Sequence, residues 1–261
     1  MESDFVKITP ADRADYRDLI SPLTEVIWPE FMLHDPVADE HWDGLFEEFV
    51  DYQFALLNHE AQAVAGFANS APLRWMGSPE DLPDEGWDWG LIKSAADAHA
   101  GIRANMLCAL QISISPDFQG TGLSKVLLDE MVGLAGSKGL SRVIVPVRPN
   151  MKSRYPLTSI DSFLGWKTDQ GLPYDPWLRV HVRSGGRIIK SCPKAMFIPG
   201  TVSEWEEWTG MKFFESGDYV VPGALSPVRI DREADLGVYV EPNVWVVHEV
   251  PGAEDRHRRG P

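Results

Sequence analysis

The sequence predicts an α/β (α+β) domain in which a central sheet is flanked by helices, and three of its features say so. Strand-like and helix-like segments alternate along the chain, no Ser/Gly/Pro-rich linker or internal repeat divides them, and 44% of the 261 residues are hydrophobic, enough to bury a substantial core. Residues 1–250 therefore read as one domain. Residues 251–261, which carry Arg256, His257, Arg258 and Arg259, read as a disordered tail.

Taken in order, Phe5-Val6-Lys7-Ile8 is the first strand signal, and Thr9-Pro10-Ala11-Asp12 opens a helix to about Leu19 with proline in its first turn. Asp39 to Asp51 reads as a helix with Trp42, Leu45, Phe46 and Phe49 on one face. Tyr52 to Leu57 and Ala63 to Asn69 are a pair of strand signals around Asn58-His59-Glu60. The stretch 71–103 is dense in acid, proline and tryptophan from Ser78 to Trp89, then helical from Leu91 to His99. Long segments of this kind carry function or mobility.

The most informative junction follows. Cys108 to Ser115 alternates Leu110, Ile112 and Ile114 with Gln111, Ser113 and Ser115, the period of a two-faced strand, and Pro116-Asp117 ends it. After Gln119-Gly120-Thr121-Gly122-Leu123-Ser124 the apolar spacing becomes helical at Leu123, Leu127, Met131 and Leu134. Lys138-Gly139 stops that helix, and Arg142 to Val147 is the next strand. A glycine-rich turn that opens a helix directs free N–H groups and the positive end of the helix dipole at one point, which suits a phosphate or pyrophosphate. The plainer alternative is a turn in which glycine only supplies an unusual dihedral. A dinucleotide fingerprint and a P-loop are both excluded, because the third glycine with its later carboxylate and the Gly-Lys-Ser/Thr triplet are missing.

Beyond this unit, a connection rich in proline and aromatics runs from Tyr155 to Tyr174. A short helix is well marked by Asp175 as N-cap, Pro176 as first residue and Gly185-Gly186 as stop. Arg187 to Phe197 reads as strand, Ser203 to Trp208 as helix, and Asp218 to Val221, Val228 to Ile230 and Val244 to Val250 as further strands.

The segment Leu110 to Leu128 resembles the central strand, Gln/Arg-x-x-Gly-x-Gly/Ala turn and following helix of the GNAT (GCN5-related) N-acetyltransferase superfamily. Gln119 and Gly122 occupy its first and fourth positions, Gly120 is the additional glycine common in the family, and Ser124 replaces the usual final Gly/Ala. The resemblance implies a GNAT acyl-CoA acyltransferase fold with a mixed, mostly antiparallel central sheet, in which 71–103 is an acceptor-side insertion and 198–250 a C-terminal β extension. It implies acetyl-CoA or another acyl-CoA as co-substrate, held by Ile112, Ile114, Gln119, Gly120, Thr121, Gly122, Leu123, Ser124 and Asn150, with a main-chain N–H at Ile114 on the acyl carbonyl. His181 stands four residues before Gly185, where the family places a tyrosine that protonates the departing thiolate. A histidine can do the same near neutral pH, although its helical spacing from Trp177 and Leu178 equally fits a core residue. Met106 falls where the family often carries a glutamate base, so the base is a water relayed through Ser113 or Ser115 or a carboxylate of the insertion. Trp87 and Trp89, beside Asp84, Glu85 and Asp88, form either the wall of a cationic or aromatic acceptor's site or a self-packed surface insertion.

The function implied is acyl transfer from CoA to the amine of a small molecule. Alternatives are a GNAT-like enzyme acting on carrier-protein or other acyl thioesters, and a non-catalytic acyl-CoA binding or sensing module. A formal charge of −15 opposes nucleic acid as a partner. No run of apolar residues reaches membrane-spanning length and no signal peptide opens the chain. Cys108 and Cys192 are too few for a zinc site or disulfide scaffold, so no metal is expected and the chain reads as cytoplasmic, with a homodimer compatible.

Overall fold

A computed structural model of the chain describes residues 5–60 and 63–251; the expected tail lies, after its first residue, outside the described residues. Runs rich in valine, isoleucine, leucine and alanine supply the strands β1 (Phe5–Ile8), β2 (Phe54–Asn58), β3 (Val64–Leu73), β4 (Met106–Ile114), β5 (Arg142–Val147), β6 (Arg187–Gly200), β7 (Gly217–Tyr219), β8 (Val228–Asp231) and β9 (Leu236–Glu249). They join in one sheet in the order β1-β2-β3-β4-β5-β9-β8-β7, with β6 also paired to β9. Among the described residues only β4 and β5 run parallel; the other pairs are antiparallel.

Helices cover both faces: α1 (Tyr16–Ile27), α2 (Pro36–His41), α3 (Gly44–Glu47), α4 (Gly86–His99), α5 (Leu123–Ser137), α6 (Ile160–Leu164), α7 (Pro176–Arg183) and α8 (Val202–Thr209). One core layer joins α5 and α7 to the sheet through Leu107, Ala109, Leu127, Met131, Val143, Val145, Leu178 and Val246. The opposite layer joins α4 and α8 through Trp87, Leu91, Cys108, Leu110, Ile144, Trp205 and Trp245. At Gly90 an added Cβ would lie 2.6 Å from Cys108 Sγ, so only glycine lets α4 approach β4 this closely.

Several sequence expectations change. Thr9 to Asp12 forms a turn, because the Asp12 carboxylate accepts the Thr9 N–H at 2.8 Å and its hydroxyl at 2.7 Å, and the helix begins at Tyr16. The single helix expected over 39–51 is broken into α2, α3 and a 3₁₀ turn at Val50–Tyr52. The 198–250 segment, expected as a C-terminal β extension, reaches the interior of the sheet: its last strand, β9, lies directly beside β5. Val244, Trp245 and Val246 are apolar towards both faces and fully buried, which suits a strand in the interior of a sheet.

The central strand also departs from simple alternation. Asn69 pairs with Gln111 and Ser70 with Ala109, so Leu110 is an extra residue, a β-bulge. Leu110 therefore faces the α4 layer while Ile112 and Ile114 pack on the α5 layer, although the sequence places all three on one face.

Candidate active site

The bulge has a consequence for the neighbouring strand. β4 and β5 pair only through Met106–Arg142, Leu107–Val143 and Cys108–Ile144, after which both continue unpaired, to Ile114 and Val147. A bulged strand bends away, and Pro146 has no N–H to offer across the divide. The result is a V-shaped gap in the middle of the sheet. Ser115 donates its N–H to Ala65 O of β3 at 3.0 Å. Hydrogen-bond direction alternates along an antiparallel strand, so the N–H groups of Ile112 and Ile114 face the gap.

At the same end of the sheet, α5 begins. Gly120 and Gly122 have φ of +77° and +86°, and Gly122 is the N-cap, with no side chain capping the helix. Gln119, Gly120, Thr121 and Gly122 are exposed and Ser124 is half-buried, whereas Leu123 is buried and anchors the helix to the core. Thr121 turns its hydroxyl back to Phe118 O at 2.7 Å. Among the described residues, no backbone acceptor takes the N–H groups of residues 120–124. An open helix N-terminus of this kind can bind an anion. Asn150 is exposed in the turn after β5.

Polar side chains line the gap on its α4 side. Asn69 Nδ2 donates to Gln111 Oε1 at 2.9 Å, and Gln111 Nε2 to Ser113 Oγ at 3.0 Å. Across the gap, Asn243 of β9 donates to Pro146 O at 3.3 Å. Asn69 Oδ1 and Asn243 Oδ1 are buried without a donor among the described residues. Beyond β5, Arg148 pairs with the wholly buried Glu241 at 2.6 Å, and Tyr239 donates its hydroxyl to the same carboxylate. Burial pushes the Glu241 carboxyl up against the opposing pull of Arg148.

The acidic insertion divides its predicted residues. Trp87 is buried at the edge of the gap, where its Nε1 donates to the bulge carbonyl of Leu110 at 2.7 Å. Glu85, Asp88 and Trp89 line a cavity of about 610 Å³ together with Lys194 and Phe197 of β6 and Val37 of α2. Asp84 instead pairs with Lys190 at 2.9 Å and does not line the cavity. Burial, then the neighbouring charge of Asp35, raises the Asp88 carboxyl to about 8, and burial raises Asp35 to about 6.

His181 lies away from the gap, contrary to its expected place at the leaving sulfur. It is fully buried, its Nδ1 lies 2.9 Å from His248 Nε2, and Trp177 packs edge-on against it. His248 pairs with Val143, where β4 and β5 are still joined. Burial holds the imidazole neutral, its pKa lowered to about 3, so it is a core histidine. Tyr155, half-buried in the segment after β5, has its hydroxyl 3.1 Å from that of Tyr174. Sequence reasoning passed over Asp35, Asn69, Asn243, Arg148 and Glu241. Of these only Asp35 had a local signal, as an N-cap before Pro36.

Among the described residues no helix is long and apolar enough to cross a membrane, and no group of three or more His, Cys, Asp or Glu residues is arranged to hold a metal. No protein-family profile matches the chain. It is 31% identical over 271 residues to "Arginine N-acetyltransferase avaD" of Aspergillus versicolor, covering 93% of each sequence. In fold it is similar to the loading GNATL domain of CurA from Lyngbya majuscula, with a TM-score of 0.62 at 19% identity over 95% of this chain and 98% of that one. It is also similar to the GphF GNAT-like decarboxylase in complex with isobutyryl-CoA, with a TM-score of 0.56 at 16% identity over 95% and 100%. A split central sheet, an open glycine-capped helix beside it and a full-length N-acetyltransferase relative agree: this chain belongs to the GNAT superfamily of N-acyltransferases.

Proposed function

We propose that this protein acylates the amine of a small cationic acceptor, arginine or a similar basic amino acid, using acetyl-CoA or a closely related acyl-CoA. The observation that carries the reading is the gap between β4 and β5 with the uncapped start of α5 at its mouth. The pyrophosphate lies on the N–H groups of the Gln119 to Ser124 turn, and the pantetheine arm enters the gap along Ile112 and Ile114 past Asn150. The identity to an arginine N-acetyltransferase supports a basic amino acid as acceptor.

The step follows from the groups present. The neutral amine attacks the thioester carbonyl carbon, and an N–H of the split strand stabilises the oxyanion. The C–S bond then breaks, and the thiolate takes a proton from the Tyr155 phenol. The amine's proton leaves through water held at Ser113, whose hydroxyl is oriented by Gln111. The two cysteines are free and buried, in keeping with a reducing cytoplasm.

One observation favours a second reading, chemistry on the acyl thioester itself: the described gap walls present Asn69, Gln111 and Ser113 instead of a carboxylate base. Thiol release from acetyl-CoA, followed with and without a panel of amino acids and with mass spectrometry of the products, separates the two. Acceptor-dependent release with an acetylated amino acid is expected. Release independent of any amine would favour the second reading, and failure to bind acetyl-CoA would overturn both.

A further inference from the structure

We infer that the cavity beside α4 receives the cationic end of the acceptor, a guanidinium or ammonium group, against the carboxyl of Asp88, which the buried Asp35 backs from behind. This rests on the amine-acylating reading above and assigns the part of the site that recognises charge. Asp88 lines the cavity and is 8% exposed. Its Oδ2 accepts the Phe197 N–H at 3.1 Å, while its Oδ1 is buried without a donor among the described residues. Asp35, wholly buried, repeats the pattern: Oδ1 accepts the N–H groups of Val37 and Ala38, both at 2.9 Å, and Oδ2 has no donor. Asp35 caps α2, α2 packs on α4, and the charge of Asp35 bears on the Asp88 carboxyl.

Two adjacent buried carboxylates are costly unless something positive lies between or beside them. A shared proton satisfies the pair, and so does a cation with several N–H donors, which makes stronger, charge-assisted bonds. A neutral ligand of the same shape cannot replace the proton. The other walls fit a cation on a hydrocarbon arm: Trp89 and Phe197 offer aromatic surface, Val37 offers aliphatic surface, and Glu85 adds a negative charge that balances the Lys194 ammonium and leaves Asp88 for the ligand. The first turn of α4 joins this cavity to the reaction site, because Trp87, the residue before Asp88, is bonded to Leu110 O at the edge of the gap. An acceptor with its charge at Asp88 and its amine at the gap is an elongated molecule with a cation at one end, as in a basic amino acid. The charged groups around Asp88 are Asp35 with Asp39 behind it on α2, Glu85 at the N-cap of α4 and Lys194 on β6. Entry of the cation therefore expels the shared proton.

The test is calorimetry of arginine and of citrulline, its neutral isostere, on the CoA-loaded full-length protein and on its Asp88→Asn variant, in two buffers of different ionisation enthalpy. Asparagine keeps an oxygen for the Phe197 N–H, so the fold is expected to survive. Arginine should bind at least tenfold more tightly than citrulline, with proton release near pH 7. Asp88→Asn should lose at least tenfold in arginine affinity and the proton release, while citrulline changes less than twofold. Equal binding of arginine and citrulline by the parent protein, which needs no variant, would overturn the assignment. So would unchanged arginine affinity in a stable Asp88→Asn protein. Acetylation of arginine with the same KM in both proteins would sink the cavity and leave the acyltransferase reading standing. Asp88-dependent arginine binding with no acetylated product would do the reverse.

Discussion

The starts of α5 and α7 are built from opposite materials. α7 begins at Asp175, which is buried and whose carboxylate accepts the N–H groups of Trp177 at 2.9 Å, Leu178 at 3.0 Å and Met151 at 2.7 Å. α5 begins at a left-handed glycine with no side-chain cap, in an exposed turn. One end has its donors satisfied internally and is sealed into the core; the other keeps its donors for something outside. A helix start capped by glycine instead of a side-chain acceptor gives up only about 0.3 kcal/mol of capping stability, and it leaves its N–H groups open beside the split in the sheet.

Breaking the sealed end should cost stability and leave cofactor binding untouched. The largest effect is expected from His181→Ala on α7, which opens a cavity and strands His248, lowering stability by about 3 kcal/mol. A thermal melt would show it, with turnover per folded molecule unchanged; a stable variant with depressed kcat would restore His181 to the chemistry. The parent protein should also reveal this histidine through pH. Its folded pKa lies below the unfolded value of 6.5, so below pH 6.5 the unfolded chain takes up a proton that the native state refuses. Stability is then full above pH 6.5 and declines towards pH 3 by about 1.4 kcal/mol per unit for each such histidine. His181→Ala should flatten that slope in denaturant melts.

Next in size is Asp175→Ala, expected to remove about 2 kcal/mol by stranding three N–H groups. Acetyl-CoA affinity should stay as in the parent. At the open end, Gly122→Val forces a β-branched residue to a φ of +86° and places a side chain where a ligand would approach, although it meets no protein atom within 4 Å. Acetyl-CoA affinity should fall at least tenfold by calorimetry, about 1.4 kcal/mol, with a smaller change in melting temperature; equal affinity would remove the turn from the cofactor site. The smallest effect on the cofactor is expected from Asp84→Asn, Glu85→Gln and Asp88→Asn combined. That protein should bind acetyl-CoA within twofold of the parent, about 0.4 kcal/mol, while the acceptor's KM rises; loss of acetyl-CoA binding in the folded protein would place the insertion on the cofactor instead.

The open helix start was legible because its signals are local: two glycines, a proline stop and a change of apolar period lie within a few residues. The split beside it was less so. The alternation of Leu110, Ile112 and Ile114 conceals a bulge, which arises from pairing with β3 and not from any residue type in β4. His181 was ambiguous for a related reason, since a spacing to glycine recurs in helices that do different work and only the position of His248 tells them apart. The carboxyl pair was invisible, because Asp35 reads as an ordinary helix cap and nothing in its surroundings names Asp88. Acidic density drew attention to Glu85 and Asp88, which line the cavity, yet could not separate them from Asp84, whose charge is taken by Lys190.

The place of β9 bears on how the molecule is made. β5 finds its antiparallel neighbour in residues synthesised about a hundred positions later, from Val244 to Glu249. At bacterial to eukaryotic translation speeds that delay is roughly 5–20 s, during which β5 presents an unpaired edge to solvent. The wall of the gap formed by Asn243 arrives with the same strand. A nascent chain can thus form the glycine turn and α5 early, while the gap between β4 and β5 gains its β9 wall only when that late strand pairs with β5.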